Sequence, residues 1–225
     1  MATAEEKAQL TVGGKTYDLP IVNSTVGDRG IDIRKLRAES GFITYDSGFS
    51  NTGSSSSAIT FIDGEQGILR YRGYDIDDLA QNCLFTEVAY LLVHGKLPTE
   101  SELKQFSTYL TDHSMIHEDM HHFFNGMPSN SHPMAILSAM ITTLSSFYPH
   151  SMDEDDNFDE TAARLMSKIR TIAAFSYKKS LGEPVVYPRH DLPYAANFLN
   201  MMFNSPIEPY ELKPLYIEAM NKLFI

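Results

Sequence analysis

The chain has 225 residues, of which 43% are hydrophobic and 11% aromatic, and its formal charge at pH 7 is −11. This apolar content can form a sizeable core, so the composition excludes a wholly disordered chain. The acidic balance, without a clustered stripe of Lys and Arg, argues against a nucleic-acid partner, and no stretch reaches the roughly 18 consecutive apolar residues of a membrane span.

Residues 1–57 are predicted to form a β-rich N-terminal segment. Gly13 and Gly14 separate two short runs with strand propensity, and paired glycines supply the positive φ of a tight hairpin turn. Residues 42–45 are a further strand candidate. A second hairpin is predicted around Asp63 and Gly64, between strands at 59–62 and 68–71.

From Ile76 onward the spacing of apolar residues becomes helical, and residues 58–225 are predicted to form one large helical domain. Thr99 and Glu102 form a capping-box pattern, and Gly95 is placed to end the preceding helix. Helices are predicted at 87–94, after Thr99, at 115–124, 134–148 (buried), 159–181 and 194–203, and from Pro214 onward. The predicted fold class is therefore mainly α.

Both ends of the chain lead to expectations. The last helix ends on the apolar residues Leu223, Phe224 and Ile225 without a Gly or Asn stop, so we expect a domain truncated at its C-terminal end. The first ten residues are polar and lack the features of a secretory or transit signal, so we expect a cytoplasmic protein.

Two short motifs have alternative interpretations. His117, Glu118 and His121 match the zinc-hydrolase spacing, but no third ligand is evident, so we interpret them as solvated histidines on a helix and predict no metal site. Arg164 and Lys168 lie one helical turn apart and would suit a phosphate group, although a solvated basic face is the simpler interpretation.

Several stretches resemble one family in the same order. Residues 59–74 read ITFIDGEQGILRYRGY and resemble the opening of the helical domain of citrate synthases. The further stretches are TYDSGF at 44–49, SHPMA at 131–135, YPR at 187–189 and NFLNMMF at 197–203. The resemblance spans essentially the whole chain, and the β-rich N-terminal segment is typical of the hexameric bacterial (type II) branch. A long colinear match is more specific than any short motif.

The resemblance implies an acyltransferase that condenses acetyl-CoA with oxaloacetate and water to citrate and CoA, at the start of the tricarboxylic acid cycle. It implies these two small-molecule substrates, a homo-oligomer (dimer or hexamer), and no cofactor or metal. In the family a carboxylate takes a proton from the acetyl methyl group while histidines polarise the carbonyls. The family's His-Ala-Asp-His-Glu stretch would follow Ile225, so no catalytic residue is assigned here and the chain alone is expected to be inactive.

The hexameric branch often has an inhibitory NADH site in this half of the protein. The matching positions here are His113, Ser114, Met115, Tyr148, Arg164 and Lys168. Three positions depart from the pattern: Asp112 replaces an arginine, His190 an asparagine and Ile207 a cysteine. Because an acid beside a pyrophosphate repels it, the resemblance implies weak or absent NADH inhibition.

Two other functions remain open. A 2-methylcitrate synthase shares the fold and differs in acyl specificity, although the hexameric-type N-terminal segment favours citrate synthase. A non-catalytic α-helical interaction module, complete at Ile225, is the alternative outside enzymes.

Overall fold

A computed structural model describes residues 6–149 and 158–225 of the protein. The chain divides into two compact units, Met1–Gly73 and Tyr74–Ile225. The division after Gly73 lies beyond the boundary predicted after residue 57, and the second hairpin belongs to the first unit.

The first unit contains the two predicted hairpins. Strands β1 (Lys7–Val12) and β2 (Lys15–Val22) pair antiparallel, and both turn residues between them, Gly13 and Gly14, have positive φ, as a two-residue hairpin turn requires. Strand β3 (Gly30–Ile31) pairs with β2, and a short helix, α1 (Leu36–Ser40), follows. Strands β4 (Thr60–Asp63) and β5 (Ile68–Tyr71) form the second antiparallel pair. Both hairpin predictions are confirmed.

The predicted strand at residues 42–45 is wrong. These residues have no regular secondary structure, and Tyr45 is 90% exposed. A strand needs a neighbouring strand to satisfy its backbone groups, and local β propensity does not supply one.

The second unit is helical, which confirms the mainly α fold class. Its elements in chain order are β6 (Tyr74–Asp75), α2 (Ile76–Asn82), α3 (Phe85–His94), α4 (Glu100–Asp112), α5 (Met120–Gly126), α6 (Pro133–Phe147), α7 (Phe158–Leu181), α8 (Tyr194–Phe203) and α9 (Pro214–Phe224). Within residues 6–149 and 158–225, no helix is both long and apolar enough to cross a membrane.

Two helix boundaries follow directly from local signals. The Thr99 hydroxyl accepts a hydrogen bond from the backbone N–H of Glu102, and the Glu102 carboxylate accepts one from the backbone N–H of Thr99 at 2.8 Å, so the predicted capping box begins α4. Gly95 has φ of 79° and ends α3, as predicted.

Helix α7 lies at the centre of the second unit and packs against α4, α6 and α8. Between α5, α6 and α7 the core contains Met120, Met140, Ile172 and Phe175, all fully buried. A smaller apolar cluster between α3, α4 and α7 contains Ala163. Because α7 has buried side chains on several sides, these side chains form the contacts that position α4, α6 and α8.

Two helix predictions need correction. Helix α6 is buried on one face only, through Ile136, Met140 and Leu144, while Met134 is exposed. Helix α5 begins at Met120 rather than at about residue 115. The preceding carbonyls accept hydrogen bonds from side chains of α7, so this segment does not form the predicted helical turns.

Candidate functional site

Polar side chains on one face of α7 hold the connection between α4 and α5. Ser167, Lys168 and Thr171 follow a three- and four-residue spacing, so they project from the same side of the helix. All three are buried. Buried polar groups are stable only when they are hydrogen-bonded, so these side chains need partners in the facing segment.

The partners are backbone carbonyls at the end of α4 and beyond it. The Ser167 hydroxyl donates to the Leu110 carbonyl at 2.6 Å, and the Thr171 hydroxyl donates to the Ser114 carbonyl at 2.7 Å. The Lys168 ammonium donates to the carbonyls of His113, at 3.2 Å, and Met115. These bonds replace the helical hydrogen bonds that the connection lacks.

Two cations of α7 lie against one aromatic ring. The guanidinium carbon of Arg164 is 4.7 Å from the centroid of the Tyr148 ring, and the Lys168 ammonium is 5.0 Å from it. Lys168 is 2% exposed, and Arg164 forms an ion pair with Glu160, one turn earlier on α7. The ring attracts both charges through its negative face. Arg164 and Lys168 therefore do not form the simple solvated basic face considered above.

His113 completes this cluster and is biased towards its neutral form. Burial lowers the pKa of its imidazole, and the positive charge of Arg164 lowers this pKa further. Its Nε2 atom is 3.8 Å from a Glu160 oxygen. The imidazole ring also stacks on Tyr109, with the two ring centroids 6.0 Å apart.

The structure thus brings the six predicted positions together around the first half of α7. His113, Ser114 and Met115 are held through their carbonyls, and Tyr148 lies between the two cations. The six positions form a basic and aromatic cluster in which Lys168 is buried and the charges of Arg164 and Lys168 already have partners.

Two of the three departures contact each other. The Nε2 atom of His190 lies 3.0 Å from a carboxylate oxygen of Asp112, 78 residues away in sequence. Ile207 is 95% exposed. Asp112 and His190 therefore contact each other in this chain. The resemblance to the NADH-site pattern considers each position separately and did not predict this contact.

The zinc-like motif does not form a metal site. Only Met120 onward is helical, so His117 and His121 do not lie one turn apart on one helix. The His117 ring stacks on Phe147 and the His121 ring packs against Phe175. Across residues 6–149 and 158–225, no group of three or more His, Cys, Asp or Glu side chains could hold a metal ion.

Sequence reasoning missed two buried cations of α7. Arg170 donates to the Ser114 hydroxyl at 2.6 Å, and the Lys178 ammonium donates to the Glu183 carboxylate at 2.6 Å. Arg170 lies between Ile169 and Ile172, and a basic residue inside such an apolar pattern is a signal that could have identified it. Lys178 lies in the polar run SYKKS, which carries no such signal.

A cleft of about 270 Å³ lies between α3, α4 and α7. Its lining includes His94 and the carboxylates Glu102, Asp159 and Glu160. Negative charge dominates this cleft, so it disfavours anionic ligands.

The chain resembles citrate synthases by family and by sequence. Residues 48–225 match the family model described as citrate synthase, C-terminal domain. Citrate synthase 1 from two strains of Mycobacterium tuberculosis is 45% identical over 227 aligned residues, which include 100% of this chain and 53% of the relative. The chain therefore spans about half the length of the curated relatives that it matches.

Solved citrate synthases share the fold. The Thermotoga maritima structure matches with a TM-score of 0.65 and 30% identity, over 80% of this chain and 45% of that one. A second match is the ternary complex of the Thermoplasma acidophilum enzyme with carboxymethyl coenzyme A and oxaloacetate, with a TM-score of 0.73 and 26% identity. This match covers 80% of this chain and 46% of that one. The Pyrobaculum aerophilum structure matches with a TM-score of 0.71 and 29% identity, over 97% of this chain and 50% of that one.

Proposed function

The chain belongs to the citrate synthase family, and we propose that a full-length protein containing it condenses acetyl-CoA with oxaloacetate and water to give citrate and CoA. The observation that carries this proposal is the 45% identity along 100% of the chain to a curated citrate synthase. Substrate binding in the Thermoplasma acidophilum relative, whose ternary complex contains a CoA analogue and oxaloacetate, supports the same substrate classes. The proposed reaction uses no metal or additional cofactor.

The role proposed for the helical unit, Tyr74–Ile225, is that of a scaffold. Helix α7 ties the α4–α5 connection, α6 and α8 together through buried hydrogen bonds and apolar contacts. No residue of this chain is assigned to the chemical steps. We therefore expect the 225-residue chain alone to lack turnover.

The test is an assay of CoA release with a thiol reagent. The full-length protein should release CoA only when acetyl-CoA and oxaloacetate are both present, and the 225-residue chain should release none. Faster turnover with propionyl-CoA would favour the 2-methylcitrate alternative. No turnover by the full-length protein with either acyl-CoA would favour a non-catalytic interaction module.

NADH regulation is proposed to be weak or absent in the full-length enzyme. The six-residue cluster has the basic and aromatic character that a dinucleotide phosphate would need, but its charges are engaged. Lys168 donates hydrogen bonds to two carbonyls, and Arg164 is paired with Glu160. The carboxylate of Asp112, which directly precedes His113 in the sequence, adds negative charge. An NADH titration of turnover should show little inhibition, and strong inhibition at low NADH concentration would contradict this proposal.

Membership of the type II branch, a homo-oligomeric state and a cytoplasmic location are part of the same proposal. The β-rich first unit supports the type II assignment, since such a segment is typical of that branch. Exposed apolar side chains on α9, Leu215 and Leu223, are suited to cover by further polypeptide. Light scattering of the full-length protein distinguishes a monomer, a dimer and a hexamer.

A further inference from the structure

We propose that the pocket between α4 and the start of α8 binds a phosphate group, with Arg170 as the buried cation in its wall. The ligand class is inorganic phosphate or a small phosphate monoester. A buried guanidinium without a carboxylate partner, an uncapped helix N-terminus and a basic pocket lining meet there. Phosphate binding at this pocket requires no turnover by the protein.

The pocket has a volume of about 370 Å³. Helix α4 contributes Lys104 and Ser107, which lie three residues apart on one face, and Arg170 enters from α7. The loop into α8 contributes residues 190–194. The space therefore brings donors from three elements of the second unit to one cavity.

The charge of Arg170 has an aromatic partner but no carboxylate partner in the part of the chain that the structure describes, since its guanidinium carbon lies 4.4 Å from the centroid of the Tyr194 ring. Arg170 is 4% exposed, and within the described residues no carboxylate lies at ion-pair distance from its guanidinium. It donates to the Tyr194 carbonyl at 3.2 Å and to the Ser114 hydroxyl at 2.6 Å, while its buried Nε has no hydrogen-bond partner. A guanidinium has five N–H donors, so donors remain for a further acceptor.

Burial of this charge has an energetic consequence. Desolvation lowers the pKa of Arg170 to about 10, so the group stays protonated at neutral pH at a cost in free energy. An anion in the pocket would recover that cost, because a cation in a site of low polarity interacts strongly with a nearby negative charge. The guanidinium fork matches the geometry of phosphate oxygens.

The start of α8 adds a second attraction for anions. Pro193 is the N-cap residue and provides no side-chain hydrogen bond to the first turn, which begins at Tyr194. Unsatisfied N–H groups and the positive end of the helix dipole favour a phosphate at this position. Pro193 and Tyr194 both line the pocket, so this helix end and Arg170 meet at the same cavity.

The remaining charges in the lining leave the pocket basic. Lys104 has no ion pair within residues 6–149 and 158–225, and Asp191 is paired with Arg189 at 2.6 Å. His190 contacts Asp112. In a protein with a net charge of −11, two cations without a carboxylate partner at one pocket make it a local site for anions.

The experiment measures phosphate binding by the 225-residue chain with isothermal titration calorimetry, in a zwitterionic buffer at constant ionic strength. Inorganic phosphate and glycerol phosphate are titrated separately, and sodium chloride is the control for ionic strength. We expect saturable binding of a phosphate probe and none of chloride. The tighter of the two probes identifies the free anion or the monoester as the preferred source.

Variants test the location of the site. Arg170→Lys keeps the charge and removes the planar fork, and should weaken binding at least roughly tenfold. Lys104→Gln, at an exposed position where folding is not at risk, should weaken binding roughly threefold to tenfold. Lys222→Gln, on α9, is the matched control and should bind like the parent chain.

Three outcomes would overturn the proposal. They are phosphate heats no different from those of chloride, binding that Lys104→Gln leaves unchanged, or binding that Lys222→Gln weakens equally. In the first case Arg170 is only a structural tie between Ser114 and Tyr194, or its partner is an acidic side chain of another chain. Because the readout is binding by this chain, its failure is separate from failure of the proposed condensation activity.

Discussion

Replacing Phe175 with Ala should remove a large part of the stability of the helical unit. Phe175 is fully buried, and its ring centroid lies 6.1 Å from that of Phe124 and 5.9 Å from that of Tyr187. Deleting a buried phenyl group costs about 3–5 kcal/mol, from lost transfer free energy and the cavity left behind. A domain of ordinary stability has about 5–15 kcal/mol, so the substitution removes a substantial fraction of it.

The matched control is the same substitution at the first residue of the same helix. Phe158 is 63% exposed, so Phe158→Ala should cost less than about 1 kcal/mol. Urea titrations followed by far-ultraviolet circular dichroism give the free energies of unfolding of both variants. If Phe175→Ala does not fold, Phe175→Leu provides a milder step in the same direction. Equal losses at the two positions would refute the placement of α7 at the centre of the core.

Three further predictions concern single contacts. Thr99→Ala removes the N-cap of α4 and should lower the free energy of unfolding by about 1 kcal/mol in a urea titration; no loss would contradict the cap. Hydrogen bonds from Lys96 and Thr99 lower the pKa of Glu102 from 4.5 to about 2, so its stabilising effect is complete above pH 4.5 and is lost as the pH falls towards 2. Glu102→Gln should therefore lower the melting temperature at pH 7 more than at pH 2.5, and an equal change at both would contradict the assignment. Glu183→Gln leaves the buried ammonium of Lys178 without its charged partner and should cost about 2 kcal/mol, measured by the same urea titration, where an unchanged midpoint would count against the pair.

Elements with their own start and stop signals could be predicted from the sequence. Helix α8 runs over Tyr194–Phe203 as predicted, because Pro193 precedes it and an apolar run fills it. Helix α4 begins after Thr99 because the capping box is a local interaction. Local chemistry sets these boundaries, so no knowledge of the tertiary fold was needed.

Elements that depend on distant partners could not be predicted in the same way. Residues 42–45 have strand propensity but do not form a strand. Residues before Met120 have helical spacing, yet their carbonyls bond to Lys168 and Thr171 of α7. Those side chains come more than fifty residues later in the chain, so the residues around 115 do not by themselves predict these hydrogen bonds.

The candidate site also combines features that the local sequence predicts with features that depend on distant partners. The four-residue spacing of Arg164 and Lys168 predicted a shared helix face, and both side chains do lie against Tyr148. The burial of Lys168 and its bonds to two carbonyls depend on the register between α7 and the α4–α5 connection, whereas the Arg164–Glu160 pair lies within α7. The contact between Asp112 and His190 likewise needed the fold.

The most direct test of the proposed function is identification of the product formed by a full-length protein that contains this chain. Incubated with isotope-labelled acetyl-CoA and oxaloacetate, the protein should produce citrate that carries the label, detected by mass spectrometry. Absence of labelled citrate from a folded full-length protein, with both substrates present, would contradict the proposed condensation.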